Sequence, residues 1–194
     1  MGYFYDAVPS GASSSTMKGV FPPSSLIGNG TGCPVNDVGE DVERLFVPAY
    51  SPMHRRVPEA ELVTYCPEKQ ISKLQILHPR TQAIEVDKFS LVVSIDGACR
   101  DNGTPAARAS WAVFFGQCSR FNSSGRLSPS CPQTSSRAEI EALARALDAI
   151  KDVCRGDMTL QEIRIRSDSE YVCQAMSIWV EGWIEDHGMR RTRA

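Results

Sequence analysis

The sequence lacks any Cys-x-x-Cys pair and holds only three histidines, so it offers no zinc-finger or zinc-ribbon spacing. Its seven cysteines are odd in number and scattered (33, 66, 99, 118, 131, 154, 173), which argues against a disulfide framework and for reduced thiols in an intracellular protein of nucleus or cytoplasm. No apolar run is long enough to span a bilayer, so no membrane partner is expected. The opening "MGYFYDAVPSG" has neither a basic n-region nor an apolar h-region, which predicts no secretory signal, and it lacks the hydroxyl residue of the myristoylation pattern. A basic surplus is missing too. Residues 1–87 hold 7 Lys/Arg against 10 Asp/Glu, and residues 88–194 hold 14 against 13, for an overall net charge of −2. Such a balance weighs against a partner held by a broad excess of positive charge.

What is present falls into two textures. Residues 1–87 read as an N-terminal extension of no assigned function. Within it, 9–40 is Ser/Gly/Pro-rich without helical or strand periodicity and reads as disordered or a loose linker. Between 41 and 87 prolines recur every few residues, with a short helical turn expected at "PEAELVTY" and a brief strand at "SKLQIL". Residues 88–194 have the pattern of a folded domain. "FSLVVSI" and "ASWAVFFG" predict strands, and 117–131 has room for a third with "NSSG" as a loop. "SSRAEIEALARALDAIKDV" predicts a helix with Ile140, Leu143, Ala144, Leu147 and Ile150 on its apolar face. "QEIRIRS" predicts a strand with Ile163 and Ile165 inward. "DSEYVCQAMSIWVEGWIED" predicts a helix that bends near Gly182. The order gives an α/β domain that opens with an antiparallel meander and then crosses over.

Three acids sit at junctions of these elements. Asp96 precedes Gly97 at the expected end of the first strand, a hairpin signal in itself. Glu139 closes a capping-box pattern from Ser136, and Asp168 stands where an N-cap would precede "SEYV". The competing reading is a metal site. Parallel strands of a crossover sheet end side by side, and a first-turn glutamate can reach between them. Three crowded carboxylates repel unless divalent cations neutralise them, and hard oxygen ligands suit Mg²⁺ or Mn²⁺. Two such ions can activate water and stabilise the leaving oxygen of a phosphodiester. Asp96 would then bridge the pair, with Glu139 and Asp168 each positioning one ion.

Taken in order, "SIDGACRDNG", "QTSSRAEIEALARAL" and "IRSDSEYV" with "WVEGW" resemble the motifs of the ribonuclease H type 1 family, over 88 to about 185. The resemblance implies a ribonuclease H-like five-stranded mixed sheet with flanking helices. It implies endonucleolytic cleavage of the RNA strand of RNA/DNA hybrids. Asp96, Glu139 and Asp168 fall on three of the family's four metal-binding acids, with Mg²⁺ or Mn²⁺ as the cofactor and two ions in the substrate complex. Cys99 and Asn102 match positions that contact RNA 2′-hydroxyls. Ser135 and Ser136 stand where many members carry Asn or Gln, and a hydroxyl has the shorter reach. Thr134 matches a residue that holds a DNA-strand phosphate, and Trp179 and Trp183 match the start of a hybrid-gripping protrusion. The family continues with further helix, an edge strand, a loop histidine and a fourth acid. His187 falls too early to be that histidine, so a C-terminally incomplete domain is expected, with "EIRIRS" an exposed edge unless "SKLQIL" covers it. Two other readings remain: a non-catalytic ribonuclease H-like module binding nucleic acid or protein, and an unrelated α/β domain whose three acids are caps and turns.

Overall fold

The apolar run before Asp96 lies at the centre of the molecule, buried on both faces, which is why it reads as continuous rather than alternating. A computed structural model describes residues 45–185. The elements in chain order are β1 (Val63–Cys66), β2 (Ile71–Leu77), β3 (Ile84–Val86), β4 (Ser90–Arg100), β5 (Arg108–Phe114) and β6 (Ser123–Arg126). After these come α1 (Ser135–Gly156), β7 (Glu162–Arg166), α2 (Glu170–Gln174), a π-helical segment (Ala175–Trp179) and α3 (Val180–Glu185). β4 pairs antiparallel with β5 along one edge and parallel with β7 along the other, and β5 pairs antiparallel with β6. This is a mixed sheet with α1 as the connection between its parallel strands.

Leu91, Val93 and Ile95 of β4 pack against Ala142, Ala146, Ile150 and Val153 of α1. The intervening Val92 faces the other side, where it meets Val57, Leu62 and Leu74. The buried face of α1 is therefore Ala138, Glu139, Ala142, Ala146, Ile150 and Val153, whereas Ile140 and Leu147 are exposed. The apolar stripe expected from the largest side chains is turned by about one residue. Alanines let the helix lie close to the sheet, and closeness outweighs the size of individual apolar groups.

Four other expectations change. β4 does not stop at Asp96-Gly97 but runs on to Arg100, and the reversal falls at Asp101 (φ 53°) and Gly103 (φ 84°). Gly97 makes room for the helix and does not form a turn: a Cβ there would lie 2.3 Å from the Glu139 nitrogen. The "NSSG" segment supplies the strand β6 and not a loop, with Gly125 lying under the Trp111 indole. In the last helix the irregularity lies at Ala175–Trp179, while Gly182 sits inside α3. There Ser177 Oγ donates to the Cys173 carbonyl at 2.6 Å, a bond that competes with the helical ladder.

The sheet also extends upstream of residue 88. β2 pairs with β1, with β3 and, at Ser72–Val92, with β4. It runs on the β5 side of β4, so "SKLQIL" does not cover β7, and among the described residues nothing pairs with the outer edge of β7. Lys73, 2% exposed, donates to the carbonyls of Lys88 (2.7 Å) and Ser90 (2.9 Å), and its burial lowers the ammonium pKa. Ser90 Oγ accepts from the Leu74 N–H at 2.8 Å, and Ser72 Oγ donates to the Phe115 carbonyl at 2.8 Å. On β7, Ile165 packs on the main core, but Ile163, expected inward, is 41% exposed at the open edge, and Arg164 lies over the Phe46 ring. No helix among the described residues is long and apolar enough to cross a membrane.

Candidate active site

The three acids come from three elements. Asp96 lies two residues beyond Ser94, the last residue of β4 that pairs with β7, through Arg166. That divergence leaves a gap beyond the C-terminal end of β7, beside the continuing β4, and open α/β sheets hold ligands at the C-terminal ends of parallel strands. Asp168 follows β7 as the chain turns towards α2. Glu139 reaches the gap from α1, whose close approach is possible because residue 97 is glycine. One oxygen from each of the three carboxylates lies within 4.8 Å of the others.

Neither capping alternative is realised. The N-cap of α1 is Thr134, whose Oγ1 accepts from the Arg137 N–H at 3.2 Å, and Glu139 lies beyond the first turn. The N-cap of α2 is Ser169, whose Oγ accepts from the Val172 N–H at 3.3 Å. The carboxylates are thus left without a helix-capping role, and their electrostatics are unfavourable. Burial, aided by the charges of Asp96 and Asp168, raises the Glu139 carboxyl from 4.5 to about 7. Partial desolvation and the Asp168 charge raise Asp96 as well, while the Gly97 N–H works in the opposite direction on both groups. Glu139 is 7% exposed and its Oε2 is buried without a hydrogen-bond partner. A carboxylate with one buried, unpartnered oxygen, grouped with two further carboxylates, is a donor set that fits a hard divalent cation.

The other residues singled out from the sequence fall into two groups. Cys99 and Asn102 on the β4–β5 side meet the loop that carries Thr134, Ser135 and Ser136. Cys99 Sγ donates to the Gln133 carbonyl at 3.4 Å, and Asn102 Nδ2 donates to Ser135 Oγ at 3.4 Å. Thr134 and Ser136 are exposed at the start of α1. Trp179 and Trp183 form the second group, with ring centroids 6.1 Å apart.

Sequence reasoning missed two contributors. Gln133 fastens the Thr134–Ser136 loop: its Oε1 accepts from the Ala109 N–H at 3.0 Å, and its Nε2 donates to the carbonyls of Ser128 and Cys131 at 2.9 Å. Its place directly before Thr134 was the only signal in the sequence. Tyr171 extends the aromatic row, 5.7 Å from Trp179, and its spacing of eight residues from that tryptophan could have revealed it.

Comparison with known proteins places the chain. The family model for RNase H matches residues 88–194. Ribonuclease H1 of Rattus norvegicus is 33% identical over 94 residues, covering 48% of this chain and 30% of the rat protein. Ribonuclease H of Rhodopirellula baltica is 36% identical over 97 residues, covering 50% of this chain and 54% of the bacterial one. Among solved structures, the crystal structure of LC11-RNase H1 in complex with RNA/DNA hybrid aligns with a TM-score of 0.32 and 23% identity, over 53% of this chain and 65% of that one. The chain thus spans between about a third and a half of the curated relatives' length. With the family model matching more than half of its residues, the chain belongs to the ribonuclease H family.

Proposed function

We propose that the protein hydrolyses the RNA strand of RNA/DNA hybrids endonucleolytically, at a two-metal carboxylate site formed by Asp96, Glu139 and Asp168. The observation that carries this reading is the convergence of the three carboxylates within 4.8 Å in a chain of this family. Mg²⁺ or Mn²⁺ would be held by these oxygens, with Asp96 central. Divalent cations bound in such a site neutralise the acids and polarise a phosphoryl oxygen.

The remaining residues are assigned to holding the substrate. Cys99, Asn102, Ser135 and Ser136 form one surface across the β4–β5 turn and the start of α1, suited to the 2′-hydroxyls of the RNA strand. Thr134 uses an oxygen lone pair as the helix cap, which leaves its O–H free to donate to a phosphate of the DNA strand. Trp179 and Trp183, extended by Tyr171, offer an aromatic row on which the DNA strand can pack. The test is cleavage of an end-labelled RNA/DNA hybrid with Mg²⁺ or Mn²⁺, by the parent chain and by Asp96→Asn. Cleavage by the parent that is lost in the variant, with an unchanged circular dichroism spectrum, supports the assignment. Equal cleavage by both removes Asp96 from the site. A folded parent that binds the hybrid and does not cleave it is a non-catalytic module.

A further inference from the structure

The face of the sheet turned away from α1 carries a second charged feature, outside the substrate-holding residues named above. Asp96, Ala98, Ser110, Ala112, Ser124 and Arg126 line a groove of about 330 Å³ on that face. The register explains the alignment: Asp96 lies opposite Ala112, Ala98 opposite Ser110, Ser110 opposite Arg126 and Ala112 opposite Ser124. Trp111 and Gly125 complete the lining, and the other uncharged residues are alanine and serine, so a ligand can come down close to the backbone over them. At the end of the groove away from Asp96, Arg100 and Arg108 are direct cross-strand partners, and strand alternation puts both on this same face. Arg126, on β6, is diagonal to Arg108.

All three arginines are exposed, and like charges placed opposite one another across a sheet destabilise it. Within the fold they find little to offset that repulsion. Arg100 has one loose ion pair, 3.6 Å from Asp101, and Arg108 donates to its neighbour's carbonyl, that of Ala107. Among the described residues no carboxylate forms an ion pair with Arg108 or Arg126. Arg100 is four residues from Asp96 along one strand, about 14 Å at ~3.4 Å per residue. That span is roughly four nucleotide steps of ~3.4 Å axial rise.

We infer that Arg100, Arg108 and Arg126 form a phosphodiester-binding patch that takes the nucleic-acid backbone as it leaves the carboxylate site across the open sheet face. The inference extends the proposed function and rests on the chain taking a nucleic-acid substrate. The ligand is polyanionic: guanidinium groups pair with phosphate oxygens in a fixed fork geometry, and the small-residue floor accommodates a sugar-phosphate chain. The exposed Phe114 ring, one alternation beyond Ala112 on the same face, adds a surface for base or sugar contact. Recognition here is by backbone charge, so it is indifferent to base sequence.

The test is fluorescence anisotropy of a labelled RNA/DNA hybrid with the metal-free chain, between about 50 and 200 mM salt. R108Q/R126Q is expected to weaken binding about tenfold, equally for unrelated sequences. It should also reduce the slope of log K against log salt by about two, one for each phosphate that an arginine no longer neutralises. Both substitutions are on the surface and relieve like-charge repulsion, so an unchanged or raised melting temperature accompanies the weaker binding. Unchanged affinity and salt slope in R108Q/R126Q overturn the patch, and so does a parent that binds no hybrid. Polyglutamate that displaces the hybrid from the parent, and itself loses affinity in R108Q/R126Q as much as the hybrid does, reassigns the arginines to an acidic peptide and also overturns it. A parent that binds through these arginines but fails to cleave supports the patch while defeating hydrolysis at the carboxylates.

Discussion

Replacing Glu139 by glutamine separates a metal site from a structural cap, because the two roles give stability changes of opposite sign. In the folded, metal-free chain the Glu139 carboxyl is raised to about 7 by burial and by its two acidic neighbours, against 4.5 ordinarily. The folded state therefore holds this proton more tightly than the unfolded chain. The stability it contributes is fully present below about pH 4.5 and is lost as the pH rises through about 7. At ~1.4 kcal/mol for each pH unit between those values, the loss amounts to about 3 kcal/mol by pH 8. Asp96 is shifted in the same direction and adds to it. Glu139→Gln keeps the volume, removes the charge and places an amide donor beside the carboxylates. In a chelator at pH 8 the variant is expected to be more stable than the parent by up to ~3 kcal/mol, and near pH 4.5 the two should converge. Urea denaturation followed by tryptophan fluorescence across pH 4.5–8.5 measures this. With Mn²⁺ in hundredfold excess over its Kd, the parent should gain about 3 kcal/mol and the variant much less. A capping glutamate would behave in the opposite way. Its carboxylate would be favoured at the helix N-terminus, and stability would climb with pH. A parent whose stability rises between pH 5 and 8, or which Mn²⁺ leaves unaltered, refutes the reasoning.

Other consequences follow from the packing. Leu74 is fully buried with Val57, Leu62 and Val92, so Leu74→Ala should cost about 2–5 kcal/mol in urea denaturation; a cost near zero would detach β2 from the fold. Gly97→Val must push α1 off β4, since its Cβ alone would lie 2.3 Å from the Glu139 nitrogen; Mn²⁺-induced thermal stabilisation should disappear even where circular dichroism still shows helix. Lys69 donates to Asp157 at 2.6 Å, and with Thr159 it holds that carboxyl down to about 2. The stability this carboxylate lends is present above the ordinary value of 3.8 and lost as pH falls towards 2, so Lys69→Met should move the Asp157 titration seen by NMR upwards.

The parts of the fold readable in advance were those in which one local rule decided the outcome. Phe89–Ile95, Ala109–Gly116 and "EIRIRS" were legible as strands because β-branched and aromatic residues fill them, and the long helix because its apolar positions recur at helical spacing. The exact face of that helix was not legible. It depends on the sheet, where Gly97 lets Ala138, Glu139 and Ala142 come closer than Ile140 and Leu147 could. The end of the first strand misled for a related reason. Asp-Gly signals a turn when nothing competes, but here the β5 partner continues as far as Arg108, and pairing carries the strand through to Arg100. The role of β1–β3 was hidden because prolines punctuate the region and its contribution is non-local: Lys73, Ser72 and Ser90 act through contacts far along the chain.

The same distinction applies to charge. Near-neutrality of residues 88–194 counted against a nucleic-acid partner, yet a sum over sequence cannot register where charges stand. The helix surface consumes much of the charge internally, with Glu141 between Arg137 and Arg145, Lys151 on Asp148 and Arg155 on Asp152. What remains is segregated: acids gather where β4 and β7 diverge, and weakly paired arginines gather at the far end of the open face. Both concentrations oppose folding, since each crowds like charges. Two such costs within about 14 Å along one strand are what the proposed function and the proposed arginine patch would offset, with cations at one end and an anionic chain at the other.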